Sequence, residues 1–221
     1  MPALLLTLIF GLTLSGCFSH NVYIDTYSPK LSGNVDRDFV PLDAFDSVKI
    51  SGSFSATFIP DAEHSVTVIA DDALFEFISI ITEDNEIEIK FNRNIRTSDR
   101  VELEIRSPFI RSVNTSGSIS AVFEDVTSDT LRLRASGSGT FSGTGAFDVL
   151  NIHTSGSARV NGENMIANQI IIRSSGSSRM IVHALDEITA RISGSGNITY
   201  FGDPAKVDSQ ISGSGSVRKA E

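Results

Sequence analysis

Six short stretches of small residues recur along the C-terminal half of this chain: TSGSI (115–119), ASGSG (135–139), TSGSA (154–158), SSGSS (174–178), ISGSG (192–196) and ISGSG (211–215). Their central glycines, Gly117, Gly137, Gly156, Gly176, Gly194 and Gly213, are 20, 19, 20, 18 and 19 residues apart. A period this tight marks a repeat architecture, in which each unit buries its apolar face only by stacking on its neighbour. An earlier copy, ISGS at 50–53, centres on Gly52. Its separation of 65 residues from Gly117 predicts three longer turns of the same repeat between them.

Before several motifs the chain alternates apolar and polar, as in Leu131-Arg-Leu133-Arg-Ala135, Leu150-Asn-Ile152-His-Thr154 and Ile188-Thr-Ala190-Arg-Ile192. Period two is the pattern of strands with one buried face. A second short strand follows the motif, as in Ala158-Arg-Val160 or Ile198-Thr-Tyr200, and then turn-prone residues such as Asn161-Gly162-Glu163-Asn164. One repeat therefore reads as strand, small corner, strand, turn. The predicted fold class is all-β: a parallel β-helix or β-solenoid with 19-residue coils stacked about 4.8 Å apart and an irregular N-terminal β capping region.

In this reading Gly52, Gly117, Gly137, Gly156, Gly176, Gly194 and Gly213 are structural corners. Glycine supplies positive φ and a close backbone approach, and the flanking serines bond local backbone or one another. A phosphate-binding loop would need a following helix and a P-loop lysine, and neither is present. A flexible Gly/Ser linker would not be interleaved with alternating Leu, Ile and Val.

Residues 42–112 are less regular. Strands are expected at Ser47–Ile50, Phe54–Phe58, Ser65–Val68, Glu86–Phe91 and Val101–Ile105. A helical turn with an Asp cap is expected over Asp71–Ile78, and a loop over 92–99. The region reads as the broad start of the solenoid, with a separate small β domain as the alternative.

Residues 3–14, ALLLTLIFGLTL, form an uncharged, largely apolar run. It is shorter than the roughly 20 residues a membrane-spanning helix needs and has the length of a signal-peptide core. The run leads into Leu14-Ser15-Gly16-Cys17, which resembles a bacterial lipobox, and Cys17 is the chain's one cysteine. The resemblance implies cleavage after residue 16 and lipidation of Cys17, with multiple acyl chains anchoring the protein stably. Only Met1-Pro2 precedes the run, without Lys or Arg; either the free amino terminus supplies the charge or the chain starts further upstream. Phe18, where an Asp would signal inner-membrane retention, favours the outer membrane. The expected organisation is a lipoprotein signal peptide at 1–16, a lipidated cysteine and tether at 17–41 with a strand beginning near Phe39-Val40, and one head domain at 42–221, irregular over 42–112 and regular over 113–221.

"FDSVKISGSFSATFI", "RSVNTSGSISAVF", "LRLRASGSGT", "ITARISGSGNITYFGDP" and the closing "ISGSGSV" together resemble the head GIN domain family, named for auto-transporter adhesins, over roughly residues 43–217. The resemblance implies a single-stranded β-helix and frequent secretion or lipid anchoring, and it carries no catalytic residues. No barrel-like block of lipid-facing strands follows the final ISGSG, so an adhesin is expected here and an auto-transporter is not.

A net charge of −9 with no basic block argues against nucleic acid as a partner. A lone cysteine excludes an internal disulfide and a Cys-rich zinc site. His153 lies outward between Ile152 and Thr154, His183 follows Val182, and their 30-residue separation places them on different faces. No G-x-S-x-G elbow occurs. Glu124-Asp125, or Glu83, Asp84 and Glu86, are the acids a polysaccharide lyase with Ca²⁺ would draw on; as adjacent acids in turns they read as solvated. Arg132, Arg134, Arg173, Arg179 and Arg191 mark outward faces, either as a stripe for anionic glycans or as partners of nearby acids. The expectation is a lipid-anchored envelope protein without cofactor, metal or catalytic residues, in contact with the membrane through its anchor and with a glycan or protein ligand. A structural envelope protein with a protein partner, and a polysaccharide-active enzyme, are the alternatives.

Overall fold

The computed structural model describes residues 26–97 and 99–221. Cys17, His20 and the apolar leader lie outside them. Among the described residues the chain is all-β: β1 (Val35–Pro41), β2 (Ser47–Pro60), β3 (Ser65–Asp71), β4 (Ile78–Glu83), β5 (Glu86–Phe91), β6 (Glu102–Ser107), β7 (Ser112–Gly194), β8 (Asn197–Phe201), β9 (Lys206–Gly213) and β10 (Ser216–Lys219). One short 3-10 helix, Asp72–Phe77, is capped by Asp71, whose side chain accepts from the Ala73 amide. The expected helical turn and its cap are therefore present.

All ten strands join one mixed sheet ordered β1-β3-β6-β2-β7-β8-β10, with β4 on β5, β5 on β2 and β9 on β7. The ladders β2–β5, β2–β6, β2–β7, β7–β8, β7–β9 and β8–β10 are parallel. Those of β1–β3, β3–β6 and β4–β5 are antiparallel, which parallel stacking alone did not anticipate. The local reason is the hairpin turn Asp84-Asn85, both residues at positive φ, which folds β5 back on β4. β1 falls in the stretch read as tether, and Phe39-Val40 lie inside it.

β7 runs 83 residues without a break in extended structure. It cannot be straight, because contacts tie together residues one repeat apart. Thr115 Oγ1 donates to the Arg134 carbonyl at 3.3 Å, the Asp125 amide to Thr144 Oγ1 at 2.8 Å, and Asn168 Nδ2 to Asp148 Oδ1 at 3.1 Å. Burial alternates along much of the strand and breaks at each small-residue motif and at stretches between them, such as Glu124-Asp125 and 142–146. At Ser116-Gly117-Ser118 three residues in a row are exposed, between buried Thr115 and Ile119. Strict alternation would bury Gly117; the chain turns there instead.

Inward residues meet in one continuous core from Phe45 to Ile198. Positions four before the first six glycines are Val48, Val113, Leu133, Ile152, Ile172 and Ala190, all buried; before Gly213 the position is the exposed Ser209. Branched side chains suit this packing, because their stiff χ1 fits a pleated surface. Phe58 stacks on Phe123 with centroids 4.8 Å apart.

One sequence expectation is corrected. Gly52 pairs directly with Gly117 in the β2–β7 ladder, so no turns of repeat lie between them. The intervening chain makes an excursion, and its β5 and β6 pair with the opposite edge of β2. A sequence interval counts residues, and it cannot tell stacked turns from a detour.

Candidate functional site

The seven motif glycines lie in register. Gly52 faces Gly117 and Gly194 faces Gly213 across their ladders. A β-carbon placed on Gly137 would lie 2.6 Å from the Gly117 carbonyl oxygen, and one on Gly194 equally close to that of Gly176. Their φ angles all fall between +100° and +131°. On either side of this column stands a column of serines: Ser51, Ser116, Ser136, Ser155, Ser175, Ser193 and Ser212 before it, and Ser53, Ser118, Ser138, Ser157, Ser177, Ser195 and Ser214 after it. Ser116 Oγ donates to Ser51 Oγ at 3.3 Å.

Two clefts flank this edge. On the preceding face a pair of shallow hollows, about 290 and 400 Å³, meet at His153. Their outer wall is the residue three before each glycine: Lys49, Asn114, Arg134, His153, Arg173, Arg191 and Gln210. On the following face a polar groove of about 720 Å³ is floored by serines and Thr140 and bordered by Arg100, Arg159 and Arg179. Among the described residues neither cleft shows a histidine hydrogen-bonded to a serine, the pairing of base and nucleophile that acyl transfer would need.

The charges of the repeats are sorted. Residues 112–202 contain six arginines and seven acids. Arg132, Arg134, Arg159, Arg173, Arg179 and Arg191 all lie three or five residues from a motif glycine, so they crowd the edge. Glu124, Asp125, Asp129, Asp148, Glu163, Asp186 and Glu187 all lie seven or eight residues away, at the turns on the far side. Among the described residues none of the six arginines makes an ion pair; the pairs belong to Arg37, Lys49, Lys90, Arg100, Arg106, Arg111, Lys206 and Lys219. Of these outward arginines, Arg191 reaches a neighbour in its own column, Nε donating to Gln210 Oε1 at 3.4 Å. Sequence reasoning found five of the six arginines and missed Arg159. Counting outward positions from each glycine would have found it.

Lys49 is the exception in its column. It meets Glu88 at 2.7 Å, and hydrogen bonds from Lys49 and then Lys90 hold the Glu88 carboxyl below the usual glutamate range. His183 is turned away from the edge, with Nδ1 3.1 Å from the Glu163 carbonyl oxygen. His153 is exposed on the preceding face. Asp125 is held by Thr144, whose hydroxyl donates to its Oδ1 at 2.6 Å. Among the described residues no three His, Cys, Asp or Glu side chains gather as a metal site requires. No helix of the described residues is long and apolar enough to cross a membrane.

The chain is a member of the family described as putative auto-transporter adhesin, head GIN domain, whose model matches residues 44–204. Solved structures share the fold. A putative adhesin from Bacteroides fragilis aligns with a TM-score of 0.72 at 16% identity, over 88% of this chain and 100% of that one. A putative lipid binding protein from Parabacteroides distasonis gives 0.57 at 18% identity, over 89% and 100%. A putative adhesin from the same organism gives 0.51 at 17% identity, over 88% and 100%. No curated protein matches the chain.

Proposed function

We propose that this protein is a non-enzymatic, lipid-anchored component of the bacterial cell envelope that presents a β-solenoid of 19-residue coils for binding or adhesion. The observation that carries the reading is the seven-rung Ser-Gly-Ser column, which sets equivalent outward side chains in rows. Rows of this kind suit a ligand that repeats along its own length. Membership of a family named for adhesins supports a surface role. In this reading the seven glycines are the corners of successive coils. Residues 1–16 are removed, Cys17 carries the acyl chains, and the short stretch after it tethers the head to the outer membrane.

Two measurements test this. Cys17→Ala is expected to move the protein from the membrane to the soluble fraction and to abolish labelling by radioactive palmitate; continued labelling overturns the anchor. Cells carrying the protein are expected to adhere to a glycan-coated surface better than cells lacking it. Equal adherence removes the adhesion reading.

A further inference from the structure

An excess of acids usually neutralises surface arginines. This chain has 27 acids to 18 basic residues, yet among the described residues the six arginines beside the glycine column have no carboxylate partner. The preceding face shows this most clearly. From Ser112 to Arg191, the residues one, three and five before each glycine include Arg132, Arg134, Arg173 and Arg191, and no Asp or Glu. Stacked at about 4.8 Å per rung, these guanidinium groups repel one another. Among the described residues Asp208, five before Gly213, is the one acid that stands in these rows beyond that range; the acids of the repeats sit at the far turns.

We propose that this face binds a linear acidic polysaccharide, laid along the stack so that its carboxylate or sulfate groups meet Arg134, Arg173 and Arg191 in turn. This inference rests on the reading of the outward faces as a binding surface. Guanidinium pairs bidentately with both anion types. The serine column beside the arginines offers hydroxyls to the sugar hydroxyls, and His153 fills the rung between Arg134 and Arg173. Of the outward positions of this face from Ser112 to Arg191, His153 alone carries an aromatic ring, and no Phe, Tyr or Trp is among them. A row of stacking platforms for nucleic-acid bases is therefore missing, and recognition falls to charge and hydroxyl pairing. Each exposed contact is weak, so binding depends on several rungs acting on one chain.

The test titrates the purified full-length protein in mild detergent with polygalacturonate, dextran sulfate and neutral dextran. Binding of one or both anionic polymers, loss of that binding as NaCl rises to about 0.5 M, and no binding of neutral dextran are expected. The variant R134Q/R173Q/R191Q is expected to weaken binding about tenfold or more, since three exposed charge contacts are each worth a few-fold. R159Q/R179Q on the following face, and E124Q/D148Q/E163Q on the far turns, are expected to change it less than about twofold. All these side chains are exposed, and an unchanged melting temperature confirms that each variant is folded. Whichever polymer binds identifies the anion as carboxylate or sulfate.

Binding that survives the triple arginine change overturns the proposal, as does loss only in R159Q/R179Q. Binding of dextran equal to that of the anionic polymers also overturns it, while leaving the wider adhesion reading intact. So does concentration-dependent self-association that the arginine changes abolish while no polymer binds; the arginines would then meet the acidic turns of a second copy.

Discussion

A β-carbon on Gly156 would lie 2.5 Å from the carbonyl oxygen of Gly137, one repeat earlier in the chain. Gly156 also has a φ of +124°, which side chains with a β-carbon rarely adopt. Space and backbone geometry therefore exclude the same substitutions. Gly156→Val is expected to cost about 3 kcal/mol or more, read from the denaturant midpoint. Thr154→Ser, two residues away, keeps the buried hydroxyl and is expected to cost about 1 kcal/mol.

The inner side of the same corner holds a chain of hydroxyls. Thr154 Oγ1 donates to Ser174 Oγ at 3.1 Å, and Ser174 and Ser178 are joined at 2.7 Å. All three residues are buried. Ser174→Ala strands the Thr154 donor and is expected to destabilise by about 1–3 kcal/mol. The variant T154V/S174A/S178A leaves no orphan, so it is expected to lose less than the sum of the three single changes in chemical denaturation.

Asp71 fastens the N-terminal segment. Its carboxylate accepts from the Ser32 amide at 3.1 Å, the Gly33 amide at 2.7 Å and the Ala73 amide at 3.0 Å. Burial pulls its pKa upward, but these hydrogen bonds outweigh burial and hold it below the usual aspartate value. A depressed folded pKa means the stabilisation is present above the unfolded value of about 3.9 and is lost as pH falls through the lower folded value. Hydrogen exchange at Ser32 and Gly33 is expected to stay slow from neutral pH down to that range and to accelerate below it. In Asp71→Asn it is expected to be fast already at neutral pH.

Phe123 is 1% exposed and lies flat against Phe58, with planes 10° apart. The two rings bridge β2 and β7 near the end of β2, where the chain leaves on its excursion. Phe123→Ala is expected to cost about 3–5 kcal/mol in the same denaturation assay. Phe123→Leu, which keeps most of the volume, is expected to cost well under half of that.

The alternation around Leu131–Ala135 and Ile188–Ile192 made the strands legible, because period two has one structural meaning. The family was legible from the ISGSG elements and their flanks. Asp71 was legible as a cap through its position before a short apolar turn. The place of Gly52 was not, since a spacing of 65 residues is compatible with stacked turns and with a detour. β4, Ile78–Glu83, escaped notice because its ISIITE sequence follows the helical turn without a break in apolar character. The sorting of arginines from acids was written in the chain from the start. It becomes visible only once residues are counted from their own glycine, a register that local periodicity does not supply.

Gly52 and Gly117 touch although more than sixty residues separate them, and the excursion between them folds without disturbing the contact. The scaffold has thus already accepted one large guest between two adjacent rungs. In the proposed solenoid the far turns, where chain leaves one rung and enters the next, are the natural places to graft another. A peptide inserted between Gly162 and Asn164 would ride on the outside of the stack, which makes this small protein a carrier on which foreign segments can be displayed at a chosen height.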